Sequence, residues 1–332
     1  MNRKVNAAIT EVGRYLPEKR LTNLDLEKMV DTSDEWIQTR TGICERRILE
    51  DGRATSYMAT EAVQDLIDRR GISPEQIDLI IVGTITPDMM FPATACLVQD
   101  RIGASKAWGF DLSGACCGFL YALTVGAQFI ESGAHDKVVV VGADKMSAIV
   151  DYTDRKTCVL FGDAAGAVLL EPTEDHGLGI FDFSLHVDGS GGPHLHMPGG
   201  GSLNPPTHET VDKKMHYVYQ NGQAVFKFAV VGMAEVSEEI LRRNDLSGED
   251  IALFVPHQAN KRIIDASAKR LGLTDSQVMI NIDKYANTTA ATIPLCLSEA
   301  QEEGRLKTGD LVVLASFGAG FTWGSVLLRW AY

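Results

Sequence analysis

Cys116 and Cys117 are the first residues of this chain whose type and position suggest chemistry. They lie in Asp-Leu-Ser-Gly-Ala-Cys-Cys-Gly-Phe, residues 111–119. Residues 107–112 predict a short buried strand, the Ser-Gly pair a turn, and the apolar run 117–131 a helix. A thiol at a helix N-terminus lies beside partial positive charge, which lowers its pKa from about 8.5 and favours the nucleophilic thiolate. The position of Cys116 therefore suits a nucleophile. The alternative is that both cysteines are small buried apolar residues.

Three further segments carry polar groups suited to such a nucleophile. His257 follows the apolar run Phe-Val-Pro and precedes a predicted helix, a position that fits a catalyst or a hydrogen-bonded cap. Asn287 opens Asn-Thr-Thr, where its amide either caps a helix or donates to a substrate. The turn 317–321, Phe-Gly-Ala-Gly-Phe, serves tight packing or presents backbone N–H groups to an oxyanion. Taken singly, none of the three decides the function.

The chain contains the same unit twice, and this duplication positions the polar residues. Each unit has a capped turn and a buried strand, at 72–83 and 246–256, followed by a helical segment ending near a glycine. A second strand, a turn, an apolar helix and a closing strand pair follow in each half. Continuous Val, Ile and Leu runs predict central sheets covered by helices. The duplication predicts that Cys116 and Asn287 face each other at comparable helix starts.

The composition indicates an ordinary globular enzyme-sized chain. It has 332 residues, of which 45% are hydrophobic and 23% charged, and a net charge of −13 that argues against nucleic-acid binding. Neither the segment 1–16 nor any other stretch has a long apolar run, so we expect no signal peptide and no membrane span. Six cysteines without Cys-x-x-Cys spacing fit free thiols in the cytoplasm.

A glycine- and proline-rich stretch at 189–206 predicts a loop. It contains His194 and His196 as His-Leu-His, but no third ligand stands at a suitable local spacing. We interpret both as loop histidines and expect no metal site. The longer segment 189–221 is a candidate for shaping the entrance to a site.

Five motifs, in order along essentially the whole chain, closely resemble the β-ketoacyl-acyl carrier protein synthase III family of the thiolase superfamily. They are Asp-Glu-Trp-Ile at 34–37 with Arg-Thr-Gly at 40–42, Ala-Cys-Cys-Gly-Phe at 115–119, Pro-His-Gln-Ala-Asn at 256–260, Asn-Thr at 287–288, and Gly-Ala-Gly-Phe-Thr-Trp-Gly at 318–324. The resemblance implies an α/β, thiolase-like, five-layered αβαβα fold built from two pseudo-twofold-related halves, 1–175 and 176–332. It also implies a homodimer.

The activity implied by the resemblance is that of the initiating condensing enzyme of type II fatty acid synthesis. An acyl-CoA primer, with acetyl-CoA the first expectation, would condense with malonyl-acyl carrier protein and release CO2 and coenzyme A. By the resemblance Cys116 is acylated, His257 and Asn287 are its partners, and the backbones of Cys116 and Ala319 form the oxyanion hole. Ala319 stands where many relatives have glycine, which a backbone donor tolerates if φ is negative. No cofactor is implied, because the coenzyme A thioester is a substrate.

The resemblance also assigns the binding residues. Phe91 would border the acyl pocket at the dimer interface. A basic surface would receive the acidic carrier protein. Because the chain has a net charge of −13, such binding requires a local patch of positive charge. The coenzyme A positions are Thr32, Trp36, Arg40, Arg155 and Asn260, and the docking positions are Lys227, Arg262, Lys269 and Arg270.

Three alternatives to this reading remain at the level of sequence. A papain-like hydrolase has Cys, His and Asn in the same order, but it gives no role to the duplication or to the Gly-Ala-Gly turn. A non-catalytic acyl-binding protein would not need the three residues together. A type III condensing enzyme of secondary metabolism, using another acyl primer, would have the same Cys, His and Asn. The sequence does not specify the primer.

Overall fold

A computed structural model of the protein describes residues 5–332. The first four residues, which belong to the segment for which we expect no signal peptide, lie outside the described residues. The strands are β1 (Asn6–Tyr15), β2 (Arg20–Thr22), β3 (Glu45–Arg47), β4 (Leu79–Gly83), β5 (Trp108–Leu112), β6 (Val138–Lys145), β7 (Asp163–Thr173), β8 (Gly179–Val187), β9 (Leu195–His196), β10 (Tyr219–Gln220), β11 (Leu253–Pro256), β12 (Leu311–Gly318) and β13 (Thr322–Arg329).

The helices alternate with these strands. They are α1 (Asn23–Leu26), α2 (Asp34–Thr41), α3 (Thr55–Arg70), α4 (Thr94–Ile102), α5 (Gly118–Glu131), α6 (His208–Asp212), α7 (Gly222–Arg243), α8 (Lys261–Leu271), α9 (Ile282–Tyr285) and α10 (Thr292–Glu302). Within the described residues, no helix combines the length and the apolar composition that crossing a membrane requires.

Two larger sheets form the framework, and their topologies correspond. The first has the order β1-β7-β6-β4-β5, and the second has the order β8-β13-β12-β11. In each sheet, a central strand is parallel to one neighbour and antiparallel to the other. In the first sheet β6 is parallel to β4 and antiparallel to β7, and in the second β12 is parallel to β11 and antiparallel to β13. The predicted duplication is therefore confirmed in the strand order of both halves.

The duplication extends to the turns that precede the first strand of each unit. Before β4, the Ser73 and Gln76 side chains cap each other's backbone, and Ser247 and Asp250 do the same before β11. Such reciprocal capping satisfies backbone N–H groups that would otherwise lack partners. The helices that follow, α4 and α8, both end at a glycine with positive φ.

The layers follow from which faces of the sheets are apolar. One core cluster joins the inner faces of both sheets to α5 and α10, which lie between them, through residues such as Ile81, Phe119, Ile293 and Leu314. A second cluster packs α3 and α4 on the outer face of the first sheet, and a third packs α7 and α8 on the outer face of the second. This is the predicted five-layered αβαβα arrangement. We propose the division 1–175 and 176–332, which is supported by β7 ending at Thr173 and β8 beginning at Gly179.

Three local predictions were wrong. The strand predicted as buried at 107–112 is β5, an edge strand whose Trp108 is 47% exposed, because its second side has no neighbour in the first sheet. The second strand predicted in the second half is reduced to one bridge between Val278 and Phe254. The segment 189–206, predicted as a loop, contains a 3₁₀ turn at Gly189–His194 and strand β9, which pairs with β10, and the His194 ring stacks on Phe321.

Candidate active site

A cavity of about 1030 Å³ lies where the two halves meet. Cys116 from the first half, and His257, Asn287 and the turn 318–320 from the second, all line it. The sequence therefore predicted which residues come together, including pairs more than 130 positions apart. A concave, mostly apolar cavity with a few converging polar groups is the usual form of a small-molecule site.

Cys116 lies in a 3₁₀ turn, Ala115–Cys117, that leads directly into α5. The turn is tight, since Ala115 has φ of 46°, a backbone conformation that favours glycine. Ser316 of β12 donates to the Cys116 carbonyl at 2.9 Å and so ties the turn to the second half. Cys117 is fully buried, and its side chain lies near Ser316 and Thr322, as expected of a packing neighbour.

The predicted lowering of the Cys116 pKa was wrong. Burial raises the pKa of this thiol well above its usual value, and the neighbouring Cys117 and Asp144 add to the effect. Cys116 lines the cavity but is only 7% exposed, and such burial disfavours the charged thiolate. The resting Cys116 side chain is therefore the neutral thiol.

The glycine turn after β12 lies against the nucleophile. A Cβ on Gly318 would come within 2.9 Å of both the Cys116 Cβ and its backbone nitrogen, so only glycine fits there. Ala319, which lines the cavity, is not among the residues with positive φ, so the condition set from the sequence for tolerating alanine is met. The turn thus places the Ala319 backbone in the same part of the cavity wall as Cys116.

His257 follows β11, and its backbone N–H donates to Ala315 of β12 at 2.8 Å. Its ring is buried, and burial lowers its pKa to about 3. Nδ1 lies 2.7 Å from the Thr292 hydroxyl oxygen, and Nε2 is buried without a hydrogen-bond partner in the described part of the chain. At neutral pH the ring is uncharged, so it can act as a neutral hydrogen-bonding group.

Asn287 precedes the 3₁₀ turn that starts α10, as Cys116 precedes α5. Its Oδ1 accepts the Thr289 N–H at 2.9 Å. The amide oxygen is thus used in holding the turn, which leaves the Nδ2 hydrogens to donate. Its backbone is held by Phe161 through a parallel bridge.

Asp144 is a buried carboxyl that sequence reasoning missed. It accepts from the Thr84 and Thr86 hydroxyls and from the Ile85 and Ala290 N–H groups, and so joins the loop after β4 to the turn after Asn287. Burial raises its pKa to about 6. A polar residue ending the apolar run of β6 was the available signal, but its partners lie about 60 and 146 positions away.

Three of the five residues predicted to bind coenzyme A line the cavity. Trp36, Arg40 and Asn260 line the cavity, and the Arg155 guanidinium lies 5.1 Å above the Trp36 ring. Asn260 caps α8 through Oδ1 and donates from Nδ2 to the Arg40 carbonyl, so its polar atoms are already engaged. Thr32 does not line the cavity, and its buried hydroxyl has no partner among the described residues.

Of two further regions predicted to shape the site, the segment 189–221 lines the cavity and Phe91 does not. Phe91 is 84% exposed and does not line the cavity of its own chain. By contrast, the segment 189–221 contributes Leu195, His196, Met197 and other residues to the lining. His196 thus lines the cavity, whereas the His194 ring stacks on Phe321. No cluster suited to a metal ion occurs in residues 5–332.

The four predicted docking residues lie on one exposed surface formed by α7 and α8. Lys227 is on α7, and Arg262, which also lines the cavity, stacks over Phe226 at 4.8 Å. Lys269 and Arg270 lie about two turns further along α8. Arg270 is bound by Glu238 at 2.6 Å, so its charge is partly neutralised.

A duplicated αβαβα fold with a cysteine, a histidine and an asparagine at the junction of its halves defines a condensing enzyme of the thiolase superfamily. The family model described as 3-oxoacyl-[acyl-carrier-protein] synthase III matches residues 110–189, and the model of its C-terminal part matches 241–330. The chain belongs to this synthase III family. The predicted family and fold are confirmed, and the chain is an acyltransferase.

Individual relatives agree over their full lengths. The protein named beta-ketoacyl-[acyl-carrier-protein] synthase III from Chlorobaculum tepidum is 59% identical over 98% of this chain and 100% of that protein. The crystal structure of 3-oxoacyl-[acyl-carrier-protein] synthase III from Aquifex aeolicus VF5 is 46% identical, with a TM-score of 0.91 over 98% of this chain and 100% of that one. The priming β-ketosynthase of the R1128 polyketide biosynthetic pathway is 32% identical, with a TM-score of 0.92 over 100% and 98%.

Proposed function

We propose that the chain is the initiating condensing enzyme of type II fatty acid synthesis, with Cys116, His257 and Asn287 as its catalytic residues. It joins an acyl-CoA primer to malonyl-acyl carrier protein and yields 3-oxoacyl-acyl carrier protein, CO2 and coenzyme A. The observation that carries the proposal is the convergence of these three side chains and the Gly318–Gly320 turn on one cavity.

In the first half-reaction the Cys116 sulfur attacks the thioester carbon of acyl-CoA. The oxyanion that forms accepts hydrogen bonds from the backbone N–H groups of Cys116 and Ala319. The C–S bond to coenzyme A then breaks, and the thiol proton of Cys116 goes overall to the departing thiolate. The close approach of Gly318 to Cys116 supports this role, because it brings the turn within reach of the same carbonyl.

In the second half-reaction malonyl-acyl carrier protein loses CO2 and leaves a thioester enolate. Negative charge develops on the thioester oxygen, where the neutral His257 ring and the Asn287 Nδ2 group donate hydrogen bonds. Each such donor contributes about 10²–10³ in rate. The enolate carbon attacks the carbonyl of acyl-Cys116, and the C–S bond to Cys116 breaks as the product leaves. The Cys116 thiolate released in this step takes up a proton from solvent, which restores the thiol.

A related activity remains a second candidate, because the priming β-ketosynthase of a polyketide pathway matches almost the whole chain. A type III condensing enzyme of secondary metabolism would use the same three residues with a different acyl primer. The segment 189–221 forms part of the cavity wall, so primer choice depends on it. A panel of acyl-CoA primers distinguishes the two candidates.

The proposed function is tested by intact-protein mass spectrometry on the wild type. Incubation with acetyl-CoA should add one acetyl group, which stays until malonyl-acyl carrier protein is supplied and then appears in 3-oxoacyl-carrier product. A papain-like hydrolase would instead release free acid, and a binding protein would gain no covalent mass. Either result would contradict the proposal.

We propose that Trp36 and Arg155 hold coenzyme A, with the indole offering its face to the adenine. Stacking of a base on an aromatic side chain contributes about 1–3 kcal/mol. We therefore expect Trp36→Ala to raise the acyl-CoA concentration for half-maximal acylation about tenfold. Decarboxylation of malonyl-acyl carrier protein serves as the control and should not change. An equal loss in both reactions would show that Trp36 is structural.

The exposed basic surface of Lys227, Arg262, Lys269 and Arg270 supports docking of the acidic carrier protein. Arg262 is the best placed, since it is exposed and also lines the cavity that the carrier's arm would enter. Arg270 contributes less, because Glu238 and Glu235 lie close to it. Local attraction at this surface opposes the repulsion expected from a net charge of −13.

A homodimer is supported by the free edge of β5 and by exposed apolar side chains. Within the described chain β5 pairs on one side with β4, and an exposed strand edge is a template for pairing with another chain. Trp108 and Phe91, 47% and 84% exposed, would be covered by a partner, and Phe91 would then border the partner's acyl pocket. Analytical sedimentation measures the oligomeric state, because a monomer has a mass of 36.1 kDa and a homodimer twice that mass.

All six cysteines are free, which supports a reducing, cytoplasmic setting for the protein.

A further inference from the structure

The Thr292 hydroxyl is the polar partner of His257 at Nδ1, the ring nitrogen other than the unpartnered Nε2. Its Oγ1 lies 2.7 Å from Nδ1. Both side chains are almost completely buried, and Thr292 is the first residue of α10. Its position is therefore set by the helix that also follows the Asn287 turn.

Two groups compete for the single hydroxyl proton of Thr292. One is Nδ1 of His257 at 2.7 Å, and the other is the Thr289 carbonyl at 3.2 Å. Bonds donated by a hydroxyl usually measure about 2.5–3.0 Å, whereas those donated by N–H cluster near about 2.9–3.0 Å. The shorter contact favours a hydroxyl donating to Nδ1. The Thr289 carbonyl, at 3.2 Å, is the weaker acceptor, and it already accepts the Thr292 backbone N–H.

The direction of this bond decides which ring nitrogen carries hydrogen. A neutral imidazole has one N–H, so a Nδ1 that accepts from Thr292 requires the hydrogen to lie on Nε2. Nε2 is buried and has no partner within residues 5–332, while the ring lines the cavity. An N–H there can donate to a substrate oxygen, whereas a bare nitrogen would repel an enolate oxygen.

We propose that Thr292 is a positioning residue that donates to Nδ1 of His257 and thereby fixes the tautomer whose Nε2–H stabilises the enolate. The inference rests on the proposed role of His257 in the second half-reaction. Thr292 does not itself touch substrate. It acts on decarboxylation and not on acylation, because the backbone N–H groups of Cys116 and Ala319 serve the first half-reaction.

The first test reads the tautomer in the resting wild-type protein, without substrate. Protein labelled with ¹⁵N-histidine is studied by NMR, and the His257 signals are assigned by their loss in His257→Ala. We expect the chemical shift of a protonated Nε2 and of an unprotonated, hydrogen-bonded Nδ1. A protonated Nδ1 would overturn the inference. Since this measurement needs no turnover, its failure is distinct from failure to form acyl-enzyme or product, which would refute the proposed function.

The second test separates the two half-reactions in variants of Thr292. Thr292→Val removes the hydroxyl but keeps the shape, and we expect decarboxylation of malonyl-acyl carrier protein to fall about 10²-fold while acylation by acyl-CoA changes less than about threefold. Thr292→Ser retains the hydroxyl and should restore decarboxylation. Equal losses in both half-reactions, or unchanged decarboxylation in Thr292→Val, would overturn the inference.

The control variant is Ser298→Ala in the same helix. The Ser298 hydroxyl is buried and has no partner in the described structure, so its removal perturbs α10 without affecting His257. Both half-reactions should keep their wild-type rates. If Thr292→Val does not fold, the NMR measurement on the wild type still decides the tautomer.

Discussion

Cys116→Ser should no longer form an acyl-enzyme, and overall condensation should fall by roughly 10³-fold or more. Serine keeps the shape of the side chain, but its hydroxyl is far harder to deprotonate in a site where burial already raises the pKa of the native thiol. Intact-protein mass spectrometry after incubation with acyl-CoA measures the adduct, and product formation from malonyl-acyl carrier protein measures the condensation.

Cys117→Ala is the matched control for this substitution. Cys117 is fully buried against Ser316 and Thr322, and its variant should still take up one acyl group. Decarboxylation of malonyl-acyl carrier protein should also survive in Cys116→Ser, because His257 and Asn287 remain in place. An acyl adduct that persists in Cys116→Ser and maps to Cys117 would mean that the nucleophile has been assigned to the wrong member of the pair.

The layered architecture was accessible from sequence because it repeats. Two capped turns, two buried strands and two apolar helices at matched spacing predict two similar sheets with their helix starts facing each other. What the repeat does not convey is which copy is incomplete. The single bridge at Val278 takes the place that β5 has in the first half. The second sheet therefore ends at β11, whereas the first continues to β5, whose outer edge is unpaired.

The chemistry of the site was less accessible, because it depends on contacts that are distant in the chain. The sequence places Cys116 at a helix start, but the sign of its pKa shift is set by how deeply the two halves enclose it. Ser316 holds the Cys116 carbonyl from 200 positions away, and Thr292 reaches His257 from 35. Such partners are ordinary serines and threonines in the sequence, and only the fold distinguishes them.

Asn287→Asp should nearly abolish decarboxylation while keeping the local structure. The Asn287 oxygen accepts the Thr289 N–H at 2.9 Å, and a carboxylate can make the same bond, so the turn before α10 is preserved. The variant loses the amide donor, which alone is worth about 10²–10³ in rate, and adds a negative charge beside the developing enolate. We expect a fall of about 10³-fold or more in CO2 release from malonyl-acyl carrier protein, with a much smaller loss in acylation of Cys116.

The pH dependence of this variant, compared with Asn287→Ala, tests the donor role directly. Asn287 is 7% exposed, so burial raises the pKa of an aspartic acid placed there above its usual value. Below that pKa the acid is neutral and its O–H replaces the missing donor. Relative to the wild type, decarboxylation by Asn287→Asp should therefore recover as the pH falls through the raised pKa of the introduced acid, whereas Asn287→Ala, with no donor at any pH, should stay low. Parallel pH profiles for the two variants would show that position 287 does not stabilise the enolate by donating hydrogen.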